Sequence, residues 1–140
     1  MTSFLEPQAG DLPHARPTAA SAPFWTGCAD GELRFQRCIA CDAVDFPPSE
    51  VCRSCLTGPI VWERSAGRGR LYSWTVVWRP VTPAFTTPYA PAIVHLDEGY
   101  DMVSNIVNTT VEELTVDLAV RVLFCHAGDL HLPYFAPSTA

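Results

Sequence analysis

Two cysteine pairs, Cys38-x2-Cys41 and Cys52-x2-Cys55, stand ten residues apart and limit the folds open to this chain more than any other feature. Each pair makes a tight knuckle that aims two thiolates at one point, and the loop from Asp42 to Val51 brings the knuckles together. Zinc favours four such soft ligands in a closed tetrahedron. A redox dithiol or a pair of disulfides is the competing reading. One Cys-x2-Cys would sustain it, but two in a cytoplasmic chain favour metal. The expectation is one structural zinc on Cys38, Cys41, Cys52 and Cys55, with no open coordination position for catalysis. Cys28 and Cys125 lie outside the motif and read as buried small residues.

The remaining bounds are broad. At 140 residues there is room for one ordinary domain or two very small ones. The chain is 48% apolar, enough for a real core, and no run approaches the ~20 apolar residues of a membrane span. Met1 to Ala22 has neither a basic start nor an apolar run, so it does not read as a secretory signal, and the cytoplasm is the expected location. The net charge is −6, and all nine basic residues are arginine. Seven of them fall in residues 31–79 against five acids, whereas residues 80–140 hold only Arg121 against seven. A nucleic-acid binder displays a basic face, and this balance argues against a large one.

Along the chain, residues 1–22 are rich in Pro, Ala, Ser and Thr and read as a flexible N-terminal arm. Residues 23–37 make a short helical segment, with Pro23 near its start and Gly31 at its end, and lead into the first ribbon strand. The ribbon then occupies 38–66. From 67 to 137 the chain reads as five strands. Leu71–Trp78 alternates, Ala92–Leu96 and Met102–Val107 flank the turn chemistry of Asp97-Glu98-Gly99, Val116–Phe124 alternates cleanly, and Leu132–Phe135 supplies a last short strand. Thr109 with Glu112 three residues later fits a capping box, which places one helical turn between the third and fourth strands. Five strands with a helix at that point describe an OB-type Greek-key barrel. The expected fold class is mainly β: helical segment, rubredoxin-like ribbon, five-stranded OB barrel.

A catalytic site is not legible. His14 falls in the arm and His95 in a strand, and His126 and His131 flank a Gly128-Asp129 turn. None stands in a nucleophile motif, and no HExxH, GxSxG or P-loop occurs. Asp97, Glu98 and Asp101 cluster at a turn, where acids collect anyway. Gly67-Arg68-Gly69-Arg70 reads as a glycine linker into the first barrel strand, or as a phosphate contact through guanidinium forks. Aromatic residues crowd between Trp62 and Tyr89, and a domain this small leaves part of such a set exposed to a partner or ligand.

Taken together, the blocks resemble a family of zinc-ribbon/OB-fold proteins, once catalogued as a domain of unknown function and associated with acyl-CoA metabolism. The resemblance spans about residues 23–137. It runs through Pro23-Phe24-Trp25, Gly31-Glu32-Leu33, Arg37-Cys38-x2-Cys41, Phe46-Pro47-Pro48, Cys52-x2-Cys55, Trp62 and Gly67-x-Gly69-x2-Tyr72-Ser73. It continues through Pro88-Tyr89, Leu96-Asp97-Glu98-Gly99, Val120-Arg121-Val122 and Leu132-Pro133. What the resemblance implies is an accessory subunit without chemistry of its own. Its partner would be a thiolase-fold enzyme that makes or breaks carbon–carbon bonds in acyl-CoA, with a hotdog-fold enoyl-CoA hydratase as the alternative. The small subunit would help form the acyl-CoA channel. A nucleic-acid module is the reading from another class. Arg68 and Arg70 are the expected contacts to coenzyme A phosphate, and Phe24 and Trp25 the expected docking anchors.

Overall fold

A computed structural model of the chain describes residues 3–138. In chain order its elements are β1 (Phe4–Leu5), α1 (Ala22–Ala29), β2 (Arg34–Cys38), β3 (Val44–Asp45), β4 (Ile60–Arg64), β5 (Arg68–Trp74), β6 (Ala90–Leu96), β7 (Asp101–Ile106), β8 (Thr109–Thr110), a single 3-10 turn (Val111–Glu113), β9 (Ala119–Ala127) and β10 (Leu130–Pro137). Helix α1 carries Pro23 in its first turn and stops before Gly31, whose φ of 77° glycine adopts at least cost. Strands β3, β2 and β4 form a three-stranded antiparallel ribbon sheet.

Strands β10-β7-β6-β5-β9 close into a barrel. All pairings are antiparallel except β10 with β7, which meet in parallel at Phe135 and Ile106. The 3-10 turn sits between the third and fourth barrel strands, as an OB-fold requires. Its cap is one residue later than the sequence suggests: Glu113, not Glu112, accepts from the Thr110 N–H at 3.1 Å and from the Thr109 hydroxyl. Two strands are also shorter than their alternation implies. A bulge between Leu71 and Ser73 shifts the register of β5, which ends at Trp74. Asp117 adopts a φ of 65°, so the expected strand over 116–118 is a turn that still bonds Leu71 through the Asp117 N–H and the Leu118 carbonyl.

Leu71, Val94, Leu96, Ile106, Val120 and Phe135 fill the barrel interior, each at most 1% exposed. The same core runs on without a break into Phe24, Cys28, Leu33 and Phe35 from the helix and ribbon. Phe35 stacks on Tyr100 with ring centroids 5.3 Å apart, and Phe46 bridges Phe24 and Tyr100 at 5.4 and 6.0 Å. Each such ring adds about 2–3 kcal/mol of burial. Where ribbon passes into barrel, the Glu98 carboxylate accepts from the Ser65 hydroxyl at 2.6 Å and the Ala66 N–H at 2.8 Å.

The N-terminal arm departs from expectation. Residues 3–8 are held to the barrel: β1 pairs with β8, Leu5 is fully buried, and Gln8 exchanges two hydrogen bonds with the Thr86 backbone. The segment is held by the Leu5 side chain, by backbone bonds from Asn108 to Leu5 and Val111 to Ser3, and by the Gln8 amide, all to sequence more than seventy residues away.

Candidate functional site

The ribbon's two knuckles have matching local geometry. After each Cys-x2-Cys the next residue takes a left-handed conformation, Asp42 at φ 67° and Leu56 at φ 63°. Its N–H returns to the first cysteine's carbonyl, Asp42 to Cys38 and Leu56 to Cys52, at 3.0 Å in both. Backbone N–H groups also point at sulfur: Cys41 to Cys38 at 3.5 Å, and Ser54 and Cys55 to Cys52 at 3.3 and 3.5 Å. The four Sγ atoms lie within 4.8 Å of one another, with Cys38–Cys55 and Cys41–Cys52 each at 3.6 Å. A tetrahedron of ~2.3 Å zinc–sulfur bonds needs sulfurs about 3.8 Å apart, a spacing that two of the sulfur pairs already approach.

Hydrogen bonding favours the thiolate at two of the four sulfurs. Cys55 is held down to about 5, first by the Thr57 hydroxyl, 3.4 Å from its sulfur, and then by the Thr57 and Gly58 N–H groups. Cys52 is lowered by the Cys55 N–H. Cys41 receives the Ala43 N–H, yet its neighbours Cys52, Cys38 and Cys55 push it up to about 12. Thiolates this close repel one another, and a divalent ion removes that repulsion. Cys38 and Cys52 are buried while Cys41 is exposed, so the centre sits at the molecule's edge with one side toward solvent. Gly58 is a functional position the sequence reading missed. A Cβ there would collide with the Cys38 sulfur and stand 2.7 Å from the Ala40 Cβ.

A second region lies on the outer face of β6 and β7. Ile93 and Val103 are cross-strand partners there, and Val103 is 72% exposed. Three adjoining clefts meet at Val103. One of about 370 Å³ runs toward the helix between Trp25, Phe46, Tyr89, Met102 and Tyr134. A second of about 410 Å³ is bounded by Phe46, Pro47 and Asp101, and a third of about 250 Å³ by Trp74 and Pro91. Asp101 is the one charged side chain in their walls.

The sequence candidates separate on this map. Trp25 lines the first cleft and is half-buried, as a docking residue would be. Phe24 lines the floor of the same cleft but is 5% exposed and packed edge-on against Trp25, so most of its ring belongs to the core. Arg68 and Arg70 are exposed on β5, on another side of the barrel from the apolar clefts. Of the acids at the turn, Glu98 is committed to Ser65 and Ala66, and Asp101 to His95 Nδ1 at 2.6 Å. Cys28 is buried and its thiol is pushed up to about 12 by that burial, so it is a packing residue. Cys125 is only half-buried.

Fold and centre together define a rubredoxin-like, four-cysteine zinc ribbon joined to an OB barrel. The comparisons with known proteins agree. Residues 25–60 match the family described as ChsH2, rubredoxin-like zinc ribbon domain, and residues 62–124 match ChsH2, C-terminal OB-fold domain. The chain belongs to this ChsH2/DUF35 family. It is 35% identical over 119 residues to a probable enoyl-CoA hydratase alpha subunit of Thermomonospora curvata, covering 82% of this chain but 37% of that protein. It is 32% identical over 95 residues to a DUF35 domain-containing scaffold protein of Methanothermobacter thermautotrophicus, covering 66% of this chain and 71% of the other. A solved structure described as an Ltp2-ChsH2(DUF35) aldolase superposes with a TM-score of 0.81 at 30% identity, over 89% of this chain and 98% of that one.

Proposed function

We propose that this chain is a non-catalytic accessory subunit of a thiolase-fold enzyme that makes or cleaves carbon–carbon bonds in acyl-CoA, as a thiolase or a retro-aldol aldolase does. The observation that carries this reading is the likeness to the chain from the Ltp2-ChsH2(DUF35) aldolase, 98% of which is covered. The catalytic groups sit on the partner. The apolar face around Ile93 and Val103 meets that partner, with Trp25 at its edge, and the barrel shapes the acyl-CoA entrance and excludes water from it. Arg68 and Arg70 contact coenzyme A phosphate.

A second reading has its own support. The hydratase alpha subunit from Thermomonospora curvata is matched along 37% of its length, so this chain corresponds to one portion of that protein. Under this reading the partner is a hotdog-fold enoyl-CoA hydratase, and the small subunit's role is unchanged.

Affinity copurification of the tagged chain with mass spectrometry separates the two. A thiolase-fold protein in near-stoichiometric amount is the expected result, and a hydratase would select the second reading. Nucleic acid alone, or no companion, would overturn both. Val103→Glu should lose the companion while keeping zinc and fold, whereas moderate salt should leave the complex intact because the contact is apolar.

A further inference from the structure

Seven of the nine arginines divide by location; the other two, Arg16 and Arg79, also form no ion pair among the described residues. In the ribbon half, Arg34, Arg37, Arg53 and Arg64 each lie within ion-pair distance of a carboxylate. On the barrel, Arg68 of β5 stands directly opposite Arg121 of β9, and Arg70 follows two residues along the same outer face, between Ala119 and His95. Like charges placed opposite each other in a sheet are destabilising. Among the described residues no carboxylate forms an ion pair with any of these three. Arg70 donates only to the Asp117 carbonyl, at 3.2 Å. A chain with fifteen acids for nine arginines has left three adjacent guanidinium groups without one.

A cleft of about 180 Å³ lies beside Arg68 and Arg70, lined also by Gly69, Asp97, Ala119, Val120 and Ser138, and Arg121 adjoins it as the cross-strand partner of Arg68. Ala119, facing Arg70 across the strands, is too short to fill the space beside it. Asp97 is the one acid in the wall, on the side of Arg68, whose carbonyl accepts the Asp97 N–H. Guanidinium forks bind phosphate oxygens in pairs, and a diphosphate presents several at the spacing of neighbouring strands.

We infer that Arg68, Arg70 and Arg121 form one anion site, with Arg121 as its unassigned third member, for the phosphate groups of a nucleotide-type small molecule. The ligand class rests on the acyl-CoA reading above; the site rests on the pairing pattern. A nucleic-acid strand would need a basic track several nucleotides long with stacking platforms beside it, and this patch is a single point of contact.

The test is a titration of the isotope-labelled full chain with sodium pyrophosphate, followed by amide and arginine Nε–H resonances. Saturable shifts at Gly69, Arg70, Ala119 and Val120 are expected. Arg121→Gln should weaken binding roughly fivefold or more, and Asp97→Asn should strengthen it. Adenosine 3′-phosphate 5′-diphosphate should bind more tightly than pyrophosphate. Non-saturating shifts, an unaltered Arg121→Gln titration, or a single-stranded decamer that outcompetes pyrophosphate at equal phosphate would each overturn the site. Copurification reports separately. A captured thiolase-fold partner without pyrophosphate binding sinks the arginine site alone, and pyrophosphate binding without a partner sinks the accessory-subunit reading alone.

Discussion

Gly58 lies three residues beyond Cys55, and Gly58→Ala tests the geometry of the metal centre with one methyl group. The backbone there is not in the left-handed region, so the effect is steric and not torsional. The added carbon stands 2.7 Å from the Ala40 Cβ and closer still to the Cys38 sulfur, where nonbonded atoms rest at about 3.5–4.0 Å. Relief requires one knuckle to retreat by about 0.8 Å or more, whereas zinc–ligand distances tolerate about 0.2 Å. Overpacking on this scale costs about 2–3 kcal/mol, or roughly thirty- to hundredfold in zinc affinity. Competition against a chelator of known affinity measures it. Gly31→Ala is the matched control: its φ is 77° and its Cβ would meet nothing, so it should cost about 1 kcal/mol of stability and leave zinc affinity alone. A Gly58→Ala protein that binds zinc as tightly as the parent would refute the placement of the Cys38 thiolate against the Gly58 backbone.

Cys38→Ser should abolish stoichiometric zinc, by metal analysis, and broaden the ribbon's resonances, because small metal sites couple binding to folding. Leu5→Ala should lower stability by about 2–4 kcal/mol in denaturant melts, as a fully buried leucine does; a neutral result would return residues 3–8 to a free arm. The Cys28 thiol, pushed up to about 12 by burial, should resist alkylation in the folded, zinc-loaded protein near pH 8, where Cys125, raised by burial but more exposed, reacts ahead of it. Because the folded state holds that proton more tightly than the unfolded chain, its contribution is complete below the ordinary thiol value of 9.0 and is lost as pH rises from there toward 12. Melts across that alkaline window should therefore flatten in Cys28→Ala.

The zinc ligands were legible because coordination chemistry is written in local spacing, and two knuckles leave few other uses for four cysteines. The barrel strands were legible because β5 and β9 alternate in sequence and because β6 and β7 are β-rich runs on either side of Asp97-Glu98-Gly99. What stayed hidden depends on distant partners. Nothing near Leu5 reveals that Thr109 and Thr110 will offer it an edge. Phe24 and Trp25 are neighbours of like chemistry and line one cleft, yet only packing against Phe46 decides that the first is buried and the second half-exposed. The alternation over 116–118 was misleading, since Asp117 turns the chain there while its flanking apolar residues keep the period of a strand. The pairing of Arg68 with Arg121 needs the closed barrel's register, which no local pattern encodes.

The unbroken core from Cys28 and Phe35 to Phe135 has a thermodynamic corollary. If ribbon and barrel melt in one transition, zinc at the ribbon and any ligand of the barrel become linked effectors, each tightening the other by the same factor. Withdrawing the ion from the Cys41 side would then be felt at Val103 as a smaller fraction of binding-competent molecules. If Val103 belongs to the docking face proposed above, the free zinc concentration becomes a dial on assembly at a distance.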